Sequence, residues 1–209
     1  MASERDAGLD RVIAFSDGVV AIAITLLILP LTEIEPGEGA TLGNVAADNA
    51  GALLGFALSF AVIANYWTIH KDIFRPLRRH SPRLVLLNML WLAAIAFVPF
   101  PTSLIEDGLD GGFGTLYIST LLVVTALNLI LANYLAHHPE LSDGQATAES
   151  REHVVAGVFA VGALLVAFVL SLFSPSAGIW ALLLMVPAQI LAGRLPRKVS
   201  STTDGDHPR

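Results

Sequence analysis

The chain has 209 residues, of which 54% are hydrophobic and 14% charged, with a net charge of −6 and a mean hydropathy of +0.66. Soluble domains have about a quarter of their residues charged, so this is the composition of a membrane protein, and the mild acidic balance gives no purchase for nucleic acid. There is no cysteine, which excludes disulfides, thiolate metal sites and thiol nucleophiles.

Six apolar segments follow one another over residues 11–31, 43–69, 83–104, 114–136, 153–173 and 177–194. Each is long enough to cross a bilayer. The expected fold is therefore an all-α integral membrane protein of six transmembrane helices, a single domain over residues 1–198. The polar tail 199–209 is expected to be disordered. A cleaved signal peptide is not expected, because Glu4, Arg5, Asp6 and Asp10 precede an apolar run too long for a signal core. The start of the second segment is blurred by Asp48 and Asn49. Ser174-Pro175-Ser176 reads as a tight turn between the fifth and sixth, and Pro187 should kink the sixth.

The first segment is the most informative, because Ser16 and Asp17 sit roughly two turns inside it. An aspartate at a helix centre costs about 2.5–3.5 kcal/mol on insertion scales, and somewhat less near an end. Such a group persists only if a partner satisfies it or a function uses it.

Loop charge fixes the orientation. All 12 Lys and Arg residues fall on one side of the six-span arrangement, before span one, between spans two and three, between four and five, and after six. The opposite loops hold only acids, Glu33, Glu35, Glu38, Glu106, Asp107 and Asp110. The positive-inside rule then places both termini in the cytoplasm. The basic loop 70–83 is first a topology signal, with anionic lipid as a secondary partner.

With that orientation, Ser16 and Asp17 of span one, Asn65, Trp67 and His70 of span two, and Asn88 and Trp91 of span three all fall in the inner third of the membrane. Together they have the composition of a buried polar network. Ile22, Leu26 and Leu29 stand at i, i+4 and i+7 and share one stripe, flanked by Gly18 and Thr25. Asp17 points roughly 140° away from that stripe, so it should face packed protein. Arg11 is off the Asp17 face, and a pair between the two suits neighbouring helices or subunits better than one helix. From periodicity alone the stripe is equally a lipid-facing or core stripe. Asn128 and Asn133 are expected to hydrogen-bond between helices, His70 to be a satisfied interfacial histidine, and Trp180 to be an outer interfacial anchor.

Arg11, followed after three residues by Phe15-Ser16-Asp17, resembles the opening of the first helix in the transmembrane protein 175 family of bacterial and endolysosomal potassium channels. The run from Ala21 to Pro30 is similar to the pore helix of that family. Tyr66-Trp67 with His70, and Asn88 with Trp91 through Pro99-Phe100-Pro101, resemble its next two helices. The likeness covers spans one to three closely; spans four to six agree in number and character. With one six-helix repeat, the chain resembles the bacterial type.

The resemblance implies a homotetramer in the cell membrane of a bacterium, with the first helix of each copy lining a potassium-selective leak pore. No carbonyl filter sequence of the Thr-Val-Gly-Tyr-Gly type is present. A hydrophobic constriction is implied at Ile22, with Leu26 and Leu29 as further pore-lining positions and Thr25 as the hydroxyl linked to selectivity. Ala21 stands where some relatives carry a hydroxyl, so that role rests on Thr25 alone. Arg11, Phe15, Ser16, Asp17, Asn65, Trp67, His70 and Asn88 form the implied structural and gating network. No cofactor, metal or nucleic acid is implied, only permeating potassium ions and membrane lipid. A proton-coupled secondary transporter working through Asp17 is the alternative. An enzyme is not expected, since no metalloprotease or serine-hydrolase motif is present.

Overall fold

The computed structural model describes residues 6–106, 112–142 and 146–173. The expected sixth span with Pro187 and Trp180, the tail, and Asp107 and Asp110 lie outside the described residues. Within them the chain is helical, with one isolated bridge between Leu77 and Ser142. Five helices or helix pairs are long and apolar enough to cross a membrane.

Helix α1, Ala7–Leu26, starts four residues before the apolar run. Asp6 caps it, its carboxylate accepting from the Gly8 N–H at 3.0 Å. It stops where Pro30 has no N–H for the Leu26 carbonyl, and a short helix α2, Leu29–Thr32, follows. The expected second span divides in two, α3 over Leu42–Asp48 and α4 over Ala50–Phe74, with the break at Asn49. There the Asn49 side chain donates to the Val45 carbonyl at 2.8 Å, beside the Asn49 backbone N–H that reaches the same oxygen at 3.1 Å, so the asparagine bonds locally to its own backbone. The span proper therefore runs later than the hydropathy suggests, at 50–74. The third span is also broken, into α5 over Pro82–Phe97 and α6 over Pro99–Glu106. Ser81 caps α5, and Pro99 and Pro101 remove two donors at the break. Helix α7, Phe113–Ala136, matches the expected fourth span and opens on Gly112 at φ 84°. Helix α8, Ala146–Phe173, begins seven residues before the expected fifth span. Its polar first turns form good helix but add nothing to an apolar window.

Helix α1 packs on α5 and α4, α4 on α6 and α7, α5 on α7, and α8 along α7. Gly157 of α8 lets α7 come close: a Cβ there would stand 3.1 Å from Leu129 Cδ1. The core runs through Val20, Ala23, Ile63, Trp91, Ile95, Ile118 and Leu121. Within it the Ser59 hydroxyl lies 2.9 Å from that of Thr102 and 3.1 Å from that of Tyr117. Two turns further along α4, the Tyr66 and Thr125 hydroxyls are 2.7 Å apart.

The segments that the charge rule assigns to the cytoplasm lie together at one end. The Asp6 N–H donates to the Arg78 carbonyl at 3.0 Å, and the Arg78 N–H to the Leu141 carbonyl at 2.9 Å. Leu77 and Leu141 are buried in this floor.

Candidate functional site: the first helix and its polar anchor

Helix α1 has two faces. Leu9, Ser16, Val20, Ala23 and Leu27 recur at helical spacing and are buried against the rest of the chain. The opposite face is uncovered: Ile22 is 62% exposed and Leu26 41%, and Leu29, which lies beyond the break in α2 rather than on the same helix, is 53% exposed. Thr25 and Gly18 are exposed beside them. Phe15, at 55%, is exposed toward the N-terminal end of the same helix. The Thr25 hydroxyl donates to the Ile22 carbonyl at 2.8 Å. Its proton is thus committed to its own helix, and its oxygen remains free to accept.

The buried face is held by a chain of hydrogen bonds running through three helices. His70 Nε2 of α4 donates to Asn88 Oδ1 of α5 at 2.7 Å. Asn88 Nδ2 donates to Ser16 Oγ of α1 at 2.8 Å. The Ser16 hydroxyl donates to the Val12 carbonyl at 2.8 Å. His70, Asn88 and Ser16 are all buried, so each donor meets one acceptor in a dry setting, where an unpaired group would be costly. The His70 ring is sandwiched between Phe74 and Trp91, each with its ring centre 4.2 Å away and nearly parallel.

Asp17 belongs to a separate branch. Its Oδ1 accepts from Trp67 Nε1 at 2.8 Å, and Lys71 Nζ stands 4.7 Å from the centre of the Trp67 ring. Asp17 faces Trp67 rather than the stripe, as the wheel suggests, but within one chain it is exposed rather than enclosed. Of the three donors offered to it by the sequence, Trp67 takes the bond, and His70 pairs with Asn88 instead.

Not every expected member joins. Asn65 is half-buried and hydrogen-bonds no described residue through its side chain, because it falls on a different face of α4 from His70. Arg11 is exposed and forms no ion pair with Asp17 within the chain. Trp91 contributes its ring, while its indole N–H has no partner among the described residues. Among the described residues, Asn128 and Asn133 do not make the expected interhelical bonds. Asn128 is buried without a partner among the described residues, and Asn133 is exposed. Hydroxyls on α4, α6 and α7 do that work instead. Phe74 and Lys71 were legible as i+4 neighbours of His70 and Trp67 on the same helix. The hydroxyl pairs, separated by 43 to 59 residues, left no local signal.

Comparison with known proteins supplies the class. A profile of the family described as the endosomal/lysosomal potassium channel TMEM175 matches residues 11–99, which include every residue of the polar anchor. A potassium channel of Chamaesiphon minutus is 33% identical over 171 residues, covering 78% of this chain and 84% of the relative. The mouse endosomal/lysosomal proton channel TMEM175 is 28% identical over 172 residues, covering 78% of this chain and 34% of that longer protein. The crystal structure of a lysosomal potassium-selective channel TMEM175 homolog from Chamaesiphon minutus superposes with a TM-score of 0.75 at 29% identity, over 90% of this chain and all of that one.

The protein is thus a multi-span helical membrane protein of an ion-channel class, and not an enzyme. It belongs to the TMEM175 family.

Proposed function

We propose that the protein is a potassium-selective, leak-type channel of the bacterial cell membrane, assembled as a homotetramer with α1 of each copy around the axis. In this reading both termini are cytoplasmic, a sixth helix completes the domain, and the uncovered face of α1 is the pore wall. Ile22 forms the constriction, Leu26 and Leu29 continue the apolar lining, and Thr25 offers its oxygen to a passing cation. A ring of isoleucines closes by dewetting and conducts when helix tilt widens it. The Ser16 and Asp17 branches hold the inner end of α1 while the neck moves.

One observation carries this reading: α1 leaves Ile22 and Leu26 uncovered, and α2 leaves Leu29 uncovered, while Ser16, Val20 and Ala23 are buried on the other side of α1. A single such face cannot enclose an axis, so several copies are needed. Potassium as the ion is supported by the name of the Chamaesiphon relative, of similar length to this chain, whereas the longer mouse relative is named a proton channel. The proton-coupled transporter gains nothing comparable, since the relatives named above are channels and Asp17 is already engaged by Trp67.

The test is purified protein in planar bilayers under a potassium-to-sodium gradient, with native mass measured on the same preparation. A tetramer with single-channel openings and a reversal potential near that of potassium is the expected result. A monomer of full conductance, or saturable coupled flux without openings, contradicts it.

A further inference from the structure

Three buried polar atoms of the core stand outside the bonds described above. Trp91 of α5 is fully buried, and its indole N–H has no partner among the described residues. Asn128 of α7 is 6% exposed, and both Nδ2 and Oδ1 of its amide are likewise without one. Helix registers bring the two side chains to one level. Helices α4 and α7 run in parallel, since Ser59 meets Tyr117 and, further along both, Tyr66 meets Thr125. Continuing from Thr125 to Asn128 moves the facing position on α4 from Tyr66 to Ile69 and His70. The α5–α6 span runs the other way, since Thr102 meets Ser59 and Asn88 meets His70. Ser81, at its start, meets Tyr134 near the end of α7. Stepping back from Tyr134 to Asn128 therefore moves along α5 from Ser81 to Leu87 and Asn88. Both registers put Asn128 level with the His70–Asn88 pair, and Trp91 is stacked on the His70 ring at 4.2 Å. Asn128 also shares the buried stripe of α7 with Leu121 and Leu131, and the Leu121 carbonyl accepts from Tyr66 of α4.

We infer that this level of the α4–α5–α7 core is a binding site for one internal water, which bridges Trp91 to Asn128 and joins α7 to the polar anchor of α1. A buried amide or indole N–H left unpaired is costly, and a bonded water recovers that cost. Internal waters are ordinary parts of protein cores, where each makes about three hydrogen bonds to groups otherwise unpaired. The capacities match. One lone pair of the water accepts the Trp91 N–H, and the other accepts an Asn128 Nδ2–H. One hydrogen goes to Asn128 Oδ1. The second goes to Asn88 Oδ1, which accepts from His70 and keeps a further lone pair. No other small occupant suits this mixture of donors and acceptors. A cation would meet the Trp91 and Asn128 N–H groups, an anion would meet the Asn88 and Asn128 carbonyl oxygens, and an apolar molecule would leave all of them unpaired. The inference does not rest on α1 being the wall of a pore.

The test is a crystal structure of the full chain, at a resolution that shows ordered water, together with melting curves of two variants in one detergent. A single peak within about 3.2 Å of both Trp91 Nε1 and the Asn128 amide is expected. Asn128→Leu, which is close in volume, should melt about 2–4 °C lower, because it removes the bridge and leaves the Trp91 N–H unpaired. Trp91→Phe should cost less in the Asn128→Leu background than in the parent, since the two side chains share one water. A dry, unpaired amide would act in the opposite sense, because an apolar side chain of the same shape would relieve it. A higher melting temperature in Asn128→Leu, additive costs of the two substitutions, a direct bond from either side chain to protein, or an empty gap between them would overturn the inference. The density is read from the parent chain, so it remains decisive even where a variant fails to fold.

Discussion

Asn88 Nδ2 lies 2.8 Å from Ser16 Oγ, and this contact fixes the rotation of α1 against α5. With Ser16 turned inward, Ile22 is turned outward, because six residues advance the helix by about 240°. The anchor and the uncovered stripe are consequences of one rotational setting, so disturbing the first should disturb the second.

Asn88→Leu removes the acceptor of His70 and the donor to Ser16 together. Each buried polar group left unpaired costs about 1–3 kcal/mol. A large fall in thermal stability and in assembled yield is expected in detergent. Ser16→Ala should be milder, since it orphans only Asn88 Nδ2. If Asn88→Leu melts like the parent, the chain through three helices is not holding α1.

For Asp17 the expected order is Asn milder than Ala, because the amide oxygen of Asn can still accept from Trp67. In a double-mutant cycle, Asp17→Ala and Trp67→Phe should couple by about 1 kcal/mol, at the low end for a charged acceptor because both side chains are partly exposed. Normal assembly with altered ion selectivity in the neutral variants would instead move Asp17 from scaffold to pore.

Gly157 sits where α8 crosses Leu129. Gly157→Ala should be tolerated with a small loss, since Leu129 Cδ1 is the movable end of a side chain. Gly157→Leu should cost about 1–3 kcal/mol by overpacking, read as a lower melting temperature. Equal stability of the two variants would mean that α7 and α8 are not in close contact at that level.

Much of this was legible in the sequence, and the misses share a cause. Hydropathy located the five described spans, because burial in lipid demands long apolar runs. It misjudged the boundaries at Ala7 and Asn49, missed the break at Val98, where proline decides, and started α8 late because its first turns are polar; mean hydropathy is blind to all of these. The shared exposure of Ile22 and Leu26 and the turning of Asp17 away from them followed from helical periodicity, whereas Leu29 lies past a break that periodicity did not foresee. The grouping of Ser16, Asp17, Trp67, His70 and Asn88 followed from depth, which charge orientation supplies. Which donor meets which acceptor did not follow: depth assigns a level, whereas pairing depends on helix rotation. That is why Asn65 stands apart and why His70 serves Asn88 rather than Asp17. The contact of Asp6 with His80, 74 residues away, had no trace in periodicity or composition.

The central claim is that the exposed stripe of α1 lines a water-filled path for ions. Its most direct test is Ile22→Cys, made in a chain with no native cysteine to confuse the result. A small, membrane-impermeant thiol reagent should modify this residue and reduce potassium current, and Ile22→Asn should increase leak and weaken discrimination between ions. If the thiol is unreactive in every state and current through both variants is unchanged, Ile22 faces lipid or protein, and α1 is not the pore wall.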